Sequence, residues 1–156
     1  MLNFFDFALQ YLPYVARGAL VTIQLTAAAL ALGAVLGLMG ALAKQSGRQP
    51  FVFLANVYVE LIRGTPALLQ IFVMYFGLAS YGLRLDPITA AALTLGIIGG
   101  AYITEIIRAG IEAVDRGQVE AATSLGMAPW TIMRRIVLPQ AVVLMVPPFT
   151  NFLIAL

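Results

Sequence analysis

The chain has 156 residues, 62 % of them hydrophobic and only 10 % charged, against about 25 % charged in an ordinary soluble domain. So few charges cannot dress a water-soluble surface, so lipid must solvate much of the chain, and a scattered net charge of +2 points away from nucleic acid. With no Cys and no His, disulfides, a thiolate nucleophile, Cys- or His-ligated metals and a Ser-His-Asp triad are excluded, and we assign the chain no catalytic residue and no metal site.

Met1–Phe7 lacks the basic segment of a signal peptide, and the apolar run that follows exceeds the roughly 7–15 residues of its core. It reads as a retained membrane helix. Residues 18–43 carry no charge and form the first expected span. Arg17 at its outer end is expected to snorkel to the interface. Gly33, Gly37 and Gly40 offer a small-residue face for close helix packing, as do Gly96, Gly99 and Gly100 further on.

A polar connector, Lys44 to Arg48, leads into a second span at 51–83 with a break expected at 63–66. Pro66 removes a backbone donor and disfavours helical geometry at Thr65. Two readings stand at this point: an interfacial helix followed by an ordinary helix start, or a functional break at membrane depth. The second needs protein or a water-filled cavity around it. The third span is expected at 87–112 and the fourth at 132–156. The last residues lie in an apolar run without a polar flank, which reads as a truncated terminus.

The expected architecture is therefore all-α, a single membrane-embedded helical bundle over 1–156 with about four spans. Lys44 and Arg48 follow span one, and Arg116, Arg134 and Arg135 follow span three. Basic residues stay on the cytoplasmic side, so the N-terminus is expected outside.

Glu105, Arg108 and Glu112 are spaced three and four apart, on one helical face. Charges in a membrane helix are costly and face protein, a cavity or each other. They read either as a self-neutralising pair that fixes packing or as a gate beside a solute path. Glu105 suits an ammonium group only if Arg108 is not its partner. Arg63 suits a carboxylate or the broken helix end. Thr65, Gln70, Tyr102 and Asn151 bring hydrogen-bonding groups to membrane depth, for a pocket or for backbone between helices.

Between spans three and four, 117–126 reads as a short helix closed by Gly126 in the position after its cap. Such a helix is too short to be stable alone and needs a partner surface. Glu120-Ala121-Ala122, three residues, Gly126, nine residues, Ile136, one residue and Leu138-Pro139 resemble the EAA loop of ABC importer permeases. Arg63-Gly64-Thr65-Pro66 with Gln70, Ala101-Tyr102 with Glu105 and Arg108, Gly117-Gln118, Leu138-Pro139-Gln140-Ala141, and Pro147-Pro148 with Asn151 are similar to the histidine/glutamine/arginine/opine type. The resemblance runs from about Gly18 onward, and members of that family continue beyond a point corresponding to Leu156.

The resemblance implies a multi-span permease bundle moving polar amino acids across the cytoplasmic (inner) membrane. It implies a coupling helix at about 118–126 that inserts into a groove on a separate ATPase, with Gly117, Gln118, Glu120, Ala121, Ala122 and Gly126 serving that contact. Thr65, Gln70, Tyr102, Glu105 and Asn151 become candidates for the solute path, and Arg63, Glu105 and Arg108 for gating or structural pairing. The implied partners are an ABC ATPase dimer, a second permease subunit, an extracytoplasmic solute-binding protein and the bilayer. No GxxxxGK[ST] loop occurs in the chain, so ATP and Mg²⁺ are expected on the ATPase and no cofactor here. The rival reading is a proton-coupled secondary transporter using Glu105, which would not need the 118–126 helix.

Overall fold

A computed structural model describes the backbone from Phe4 to Leu156 and side chains from Leu9 onward. The described residues form helices α1 (Phe4–Gln45), α2 (Gln49–Arg63), α3 (Ala67–Ser80), α4 (Pro87–Glu112), α5 (Arg116–Ser124) and α6 (Pro129–Ala155), with no strand among them. α3 and α6 each contain one π-helical turn, at Val73–Gly77 and Met133–Val137. Helices α1, α4 and α6 are each long and apolar enough to cross a membrane.

The first helix differs from the 18–43 expected. It runs unbroken through Pro13 for 42 residues, a rise of about 63 Å, twice the roughly 30 Å hydrocarbon core. Met1–Asn3 of the N-terminal segment lie outside the described residues.

Small residues build the main core. A Cβ on Gly33 would come within 3.2–3.3 Å of backbone atoms of Gly96, Gly99 and Gly100, one on Gly37 would strike Ile103, and one on Gly40 would strike Thr104. Contacts that advance together along both helices make α1 and α4 parallel, packed backbone to backbone as small residues allow. Ala29 and Ala101 are fully buried. The Thr104 hydroxyl donates to the carbonyls of Gly100 (2.8 Å) and, across the seam, Gly37 (3.2 Å). α6 lies antiparallel on α4, with Met145 and Ala141 beside Gly110 at one end and Phe152 beside Gly99 at the other.

The stretch at 51–83 is two helices meeting at 101° across Gly64-Thr65-Pro66. A helix end leaves carbonyls without partners. Here the Gln70 amide donates to the Ile62 carbonyl (2.8 Å), the Thr65 carbonyl (3.1 Å) and the Thr65 hydroxyl (2.7 Å), and the Thr65 hydroxyl donates to Leu61 (2.9 Å). α2 and α3 both pack on α4, and the Tyr58 hydroxyl donates to the Ile97 carbonyl. After α3, Asp86 caps α4 by accepting from the backbone N–H groups of Ile88 (3.1 Å) and Thr89 (3.0 Å), with Pro87 in the first turn. Hydrogen bonds from Thr89 hold the Asp86 carboxyl below its ordinary value.

Candidate functional site

Helix α5 is bounded by two local devices. At its start the Asp115 carboxylate accepts from the Gly117 N–H (2.6 Å). At its end Gly126 takes φ +74°, its N–H donates to the Thr123 carbonyl (2.9 Å), and the Met127 N–H donates to Ala122 (3.2 Å). This pair of bonds is the Schellman closure. A Cβ on Gly126 would meet nothing within 4 Å, so backbone conformation, and not space, calls for glycine there.

One face of α5 is anchored. Val119 and Ala122 pack with Met127 into a small core of Val114, Ile132, Val137 and Ala141, which gives the short helix the partner surface it needs. The other face is open: Gln118, Glu120, Ala121 and Ser124 are exposed, and Leu125 is 81 % exposed. Glu120 makes no ion pair among the described residues. A groove of about 750 Å³, lined in part by Ile111, Glu112, Val119 and Met133, runs beside this small core where α5 meets the ends of α4 and α6.

A second space, of about 580 Å³, lies among α2, α4 and α6 and is lined in part by Arg63, Tyr102, Glu105, Asn151 and Phe152. The Arg63 guanidinium sits 5.0 Å from the Tyr102 ring centroid, and Tyr102 stacks on Phe152 at 5.8 Å and 18°. Cation, ring and ring thus form one layered wall.

Glu105 also belongs to a chain of charges. Its Oε1 accepts from Lys44 of α1, and its Oε2 accepts from Arg108 Nε (3.0 Å) and Nη2 (2.9 Å). Arg108 Nη1 donates to Glu112. The Lys44 and Glu105 side chains are only 11 % and 18 % exposed. Charges this sheltered persist when each has a partner, and removing one leaves the other uncompensated.

Residues 29–156 match the family described as the binding-protein-dependent transport system inner membrane component. The chain belongs to that family. It is 37 % identical to the arginine transport system permease protein ArtQ of Bacillus subtilis (strain 168) over 153 residues, 97 % of this chain and 70 % of ArtQ. It is 39 % identical to the glutamine transport system permease protein GlnP of Escherichia coli (strain K12) over 142 residues, 90 % of this chain and 65 % of GlnP. A crystal structure of an amino acid ABC transporter with histidines superposes with a TM-score of 0.92 at 41 % identity, over 99 % of this chain and 72 % of that one. As an inner membrane component, the chain is a multi-pass permease subunit of the ABC type and not itself an enzyme.

Within this inner membrane component the expected residues divide. Gly117, Gln118, Glu120, Ala121 and Gly126 are exposed on or beside α5. Ala122 is not: at 3 % exposure it packs into the small core and anchors α5. Arg63, Tyr102, Glu105 and Asn151 converge on the 580 Å³ cavity. Thr65 and Gln70 do not join them. They line a separate, mostly apolar space of about 430 Å³ and direct their polar groups to the α2–α3 break. Arg108 is the partner of Glu105, so the condition for an ammonium site at Glu105 is not met in this state.

Lys44 and Phe152 were not among the expected site residues. Lys44 reads in sequence as a topological charge, 61 positions from Glu105, and Phe152 as one more apolar residue. The nearest signal to Phe152 is its position next to Asn151.

Proposed function

We propose that this permease subunit carries polar amino acids through an ATP-driven ABC importer in the cytoplasmic membrane. The observation that carries the reading is α5: a short helix held by Asp115, Gly126 and its own small core, presenting Glu120 and Leu125 to a partner. The relatives named for arginine and glutamine transport support the solute class.

The N-terminus lies outside and α5 inside. Parallel α1 and α4 bring Lys44 and Arg48 to the same side as Arg116, and that side is the basic, cytoplasmic one. An ATPase dimer, with its ATP and Mg²⁺, binds beneath α5. A second permease subunit, the same or homologous, completes the path, and a binding protein delivers solute from outside. No cofactor is bound by this chain. Closure of the ATPase dimer moves both α5 helices, and the bundle switches between outward and inward access as a two-state element.

The cavity walled by Arg63, Tyr102 and Phe152 is the solute space. Arg63, which has no ion-pair partner among the described residues, suits a carboxylate, and Asn151 can donate or accept. Proton-coupled transport through Glu105 gains no support, since both its oxygens are held by cations.

Co-purification with the neighbouring ATPase and binding protein, followed by vesicle uptake, tests this reading. ATP-dependent uptake of labelled glutamine or arginine is expected. Uptake driven by a proton gradient without ATP would overturn it.

A further inference from the structure

The cavity and the groove behind α5 are separate spaces, yet one run of charges touches both. Glu105 lines the cavity beside Arg63 and Tyr102. Glu112, about two turns further along α4, lines the groove beside Arg116 and Val119. Arg108 lines neither and bridges them, holding Glu105 through Nε and Nη2 and Glu112 through Nη1. The two carboxylates sit on different edges of one planar guanidinium, a fork that the compact ammonium of Lys cannot reproduce.

We propose, resting on the importer reading above, that Arg108 is a positioning residue that links solute occupancy of the cavity to the setting of α5. An amino acid entering the cavity brings an ammonium group that displaces Arg108 from Glu105, so the carboxylate, shared here between Lys44 and Arg108, becomes an ammonium site only once Arg108 has left it. Competition for Glu105 Oε2 frees Arg108 to move toward Glu112, at the end of α4 where the connection to α5 begins. Only side-chain rotation on one helix is required, because Glu105, Arg108 and Glu112 share a face. Lys44 keeps Glu105 compensated while Arg108 moves. The two settings of Arg108 differ in their contacts with solute, the condition for a ligand to shift a population.

The test uses the importer reconstituted in vesicles with its ATPase and binding protein, with glutamine and arginine as probes. Hydrolysis is measured with and without solute-loaded binding protein, for Glu112→Gln and Arg108→Lys. Glu112 is 59 % exposed, so its substitution leaves the fold in place. Both variants should keep basal hydrolysis and lose about fivefold or more of the solute stimulation, the range of ordinary coupling between sites. A purely structural defect would lower basal and stimulated rates together. An unchanged stimulation ratio in Glu112→Gln, or equal loss of both rates in both variants, overturns the proposal. Failure of the unaltered chain to activate an ATPase would instead overturn the importer reading itself.

Discussion

The Thr104 hydroxyl of α4 reaches the Gly37 carbonyl of α1 at 3.2 Å, with room left for it by Gly40, where a Cβ would strike the Thr104 side chain. A Cβ on Gly37 would collide with Ile103 beside it. The α1–α4 pair is therefore held at backbone contact, and the path of both helices depends on a few missing methyl groups.

Gly37→Leu should force the seam apart and destabilise the purified protein by about 1–3 kcal/mol, the ordinary cost of overpacking. Gly18→Ala, where an added Cβ meets nothing within 4 Å, should instead be neutral or stabilising by about 0.5–1 kcal/mol through helix propensity. Thermal unfolding in detergent distinguishes the two. Equal effects would mean that the seam does not depend on glycine.

Gly126→Val places a β-branched residue at φ +74°, a conformation such residues rarely accept. The Schellman closure should open and α5 lose its fixed orientation. ATP hydrolysis should then continue while uptake collapses. Gly126→Asn, which tolerates the left-handed region, should retain most uptake. Normal uptake by the valine variant would count against a coupling role for α5.

Gln70→Leu removes the donor to the Ile62 and Thr65 carbonyls. The Ile62 carbonyl is only half-buried and the Thr65 carbonyl exposed, so stability should fall by about 0.5–1.5 kcal/mol, the net contribution of an ordinary hydrogen bond. Solute affinity should change little, because Gln70 does not line the Tyr102 cavity. A large loss of binding with unchanged stability would return Gln70 to the solute path.

Phe152→Ala breaks the stack on Tyr102. Aromatic pairs contribute about 0.5–1.5 kcal/mol beyond burial, so KM for the transported amino acid should rise about two- to tenfold. Phe152→Leu should recover only part of this. Uptake kinetics in vesicles give the comparison.

Acid should loosen the start of α4. The Asp86 carboxyl is held below its ordinary value by hydrogen bonds from Thr89, so its cap contributes above the unfolded pKa and is lost as pH falls through the folded one. Amide exchange at Ile88 and Thr89 should accelerate as that range is crossed. A flat profile would mean that the cap adds nothing.

Local chemistry made much of this legible in sequence. Gly126 closes the turn it ends, and Pro66 breaks the helix it enters. Each effect acts within one or two turns. The seam was legible as small-residue faces on two segments, though not as a parallel pairing. What stayed hidden depends on packing between distant elements. Lys44 meets Glu105 only because α1 and α4 run parallel in a register that sets Gly40 beside Thr104. Thr65 and Gln70 part from Tyr102 and Asn151 because the 101° bend turns their side chains onto the break. The packing of Ala122 into the small core beneath α5 depends on residues from α4 and α6 that its own sequence neighbourhood does not show. The extension of α1 back to Phe4 was obscured by Pro13 and Arg17, which the helix accommodates.

The chain contains no cysteine, so Leu125→Cys introduces one thiol, on the open face of α5. In right-side-out and inverted vesicles, a membrane-impermeant maleimide should label it only from the cytoplasmic side, and the bound ATPase should protect it. Labelling from the outer face, or equal labelling with and without ATPase, would contradict α5 as the contact that receives the ATPase stroke.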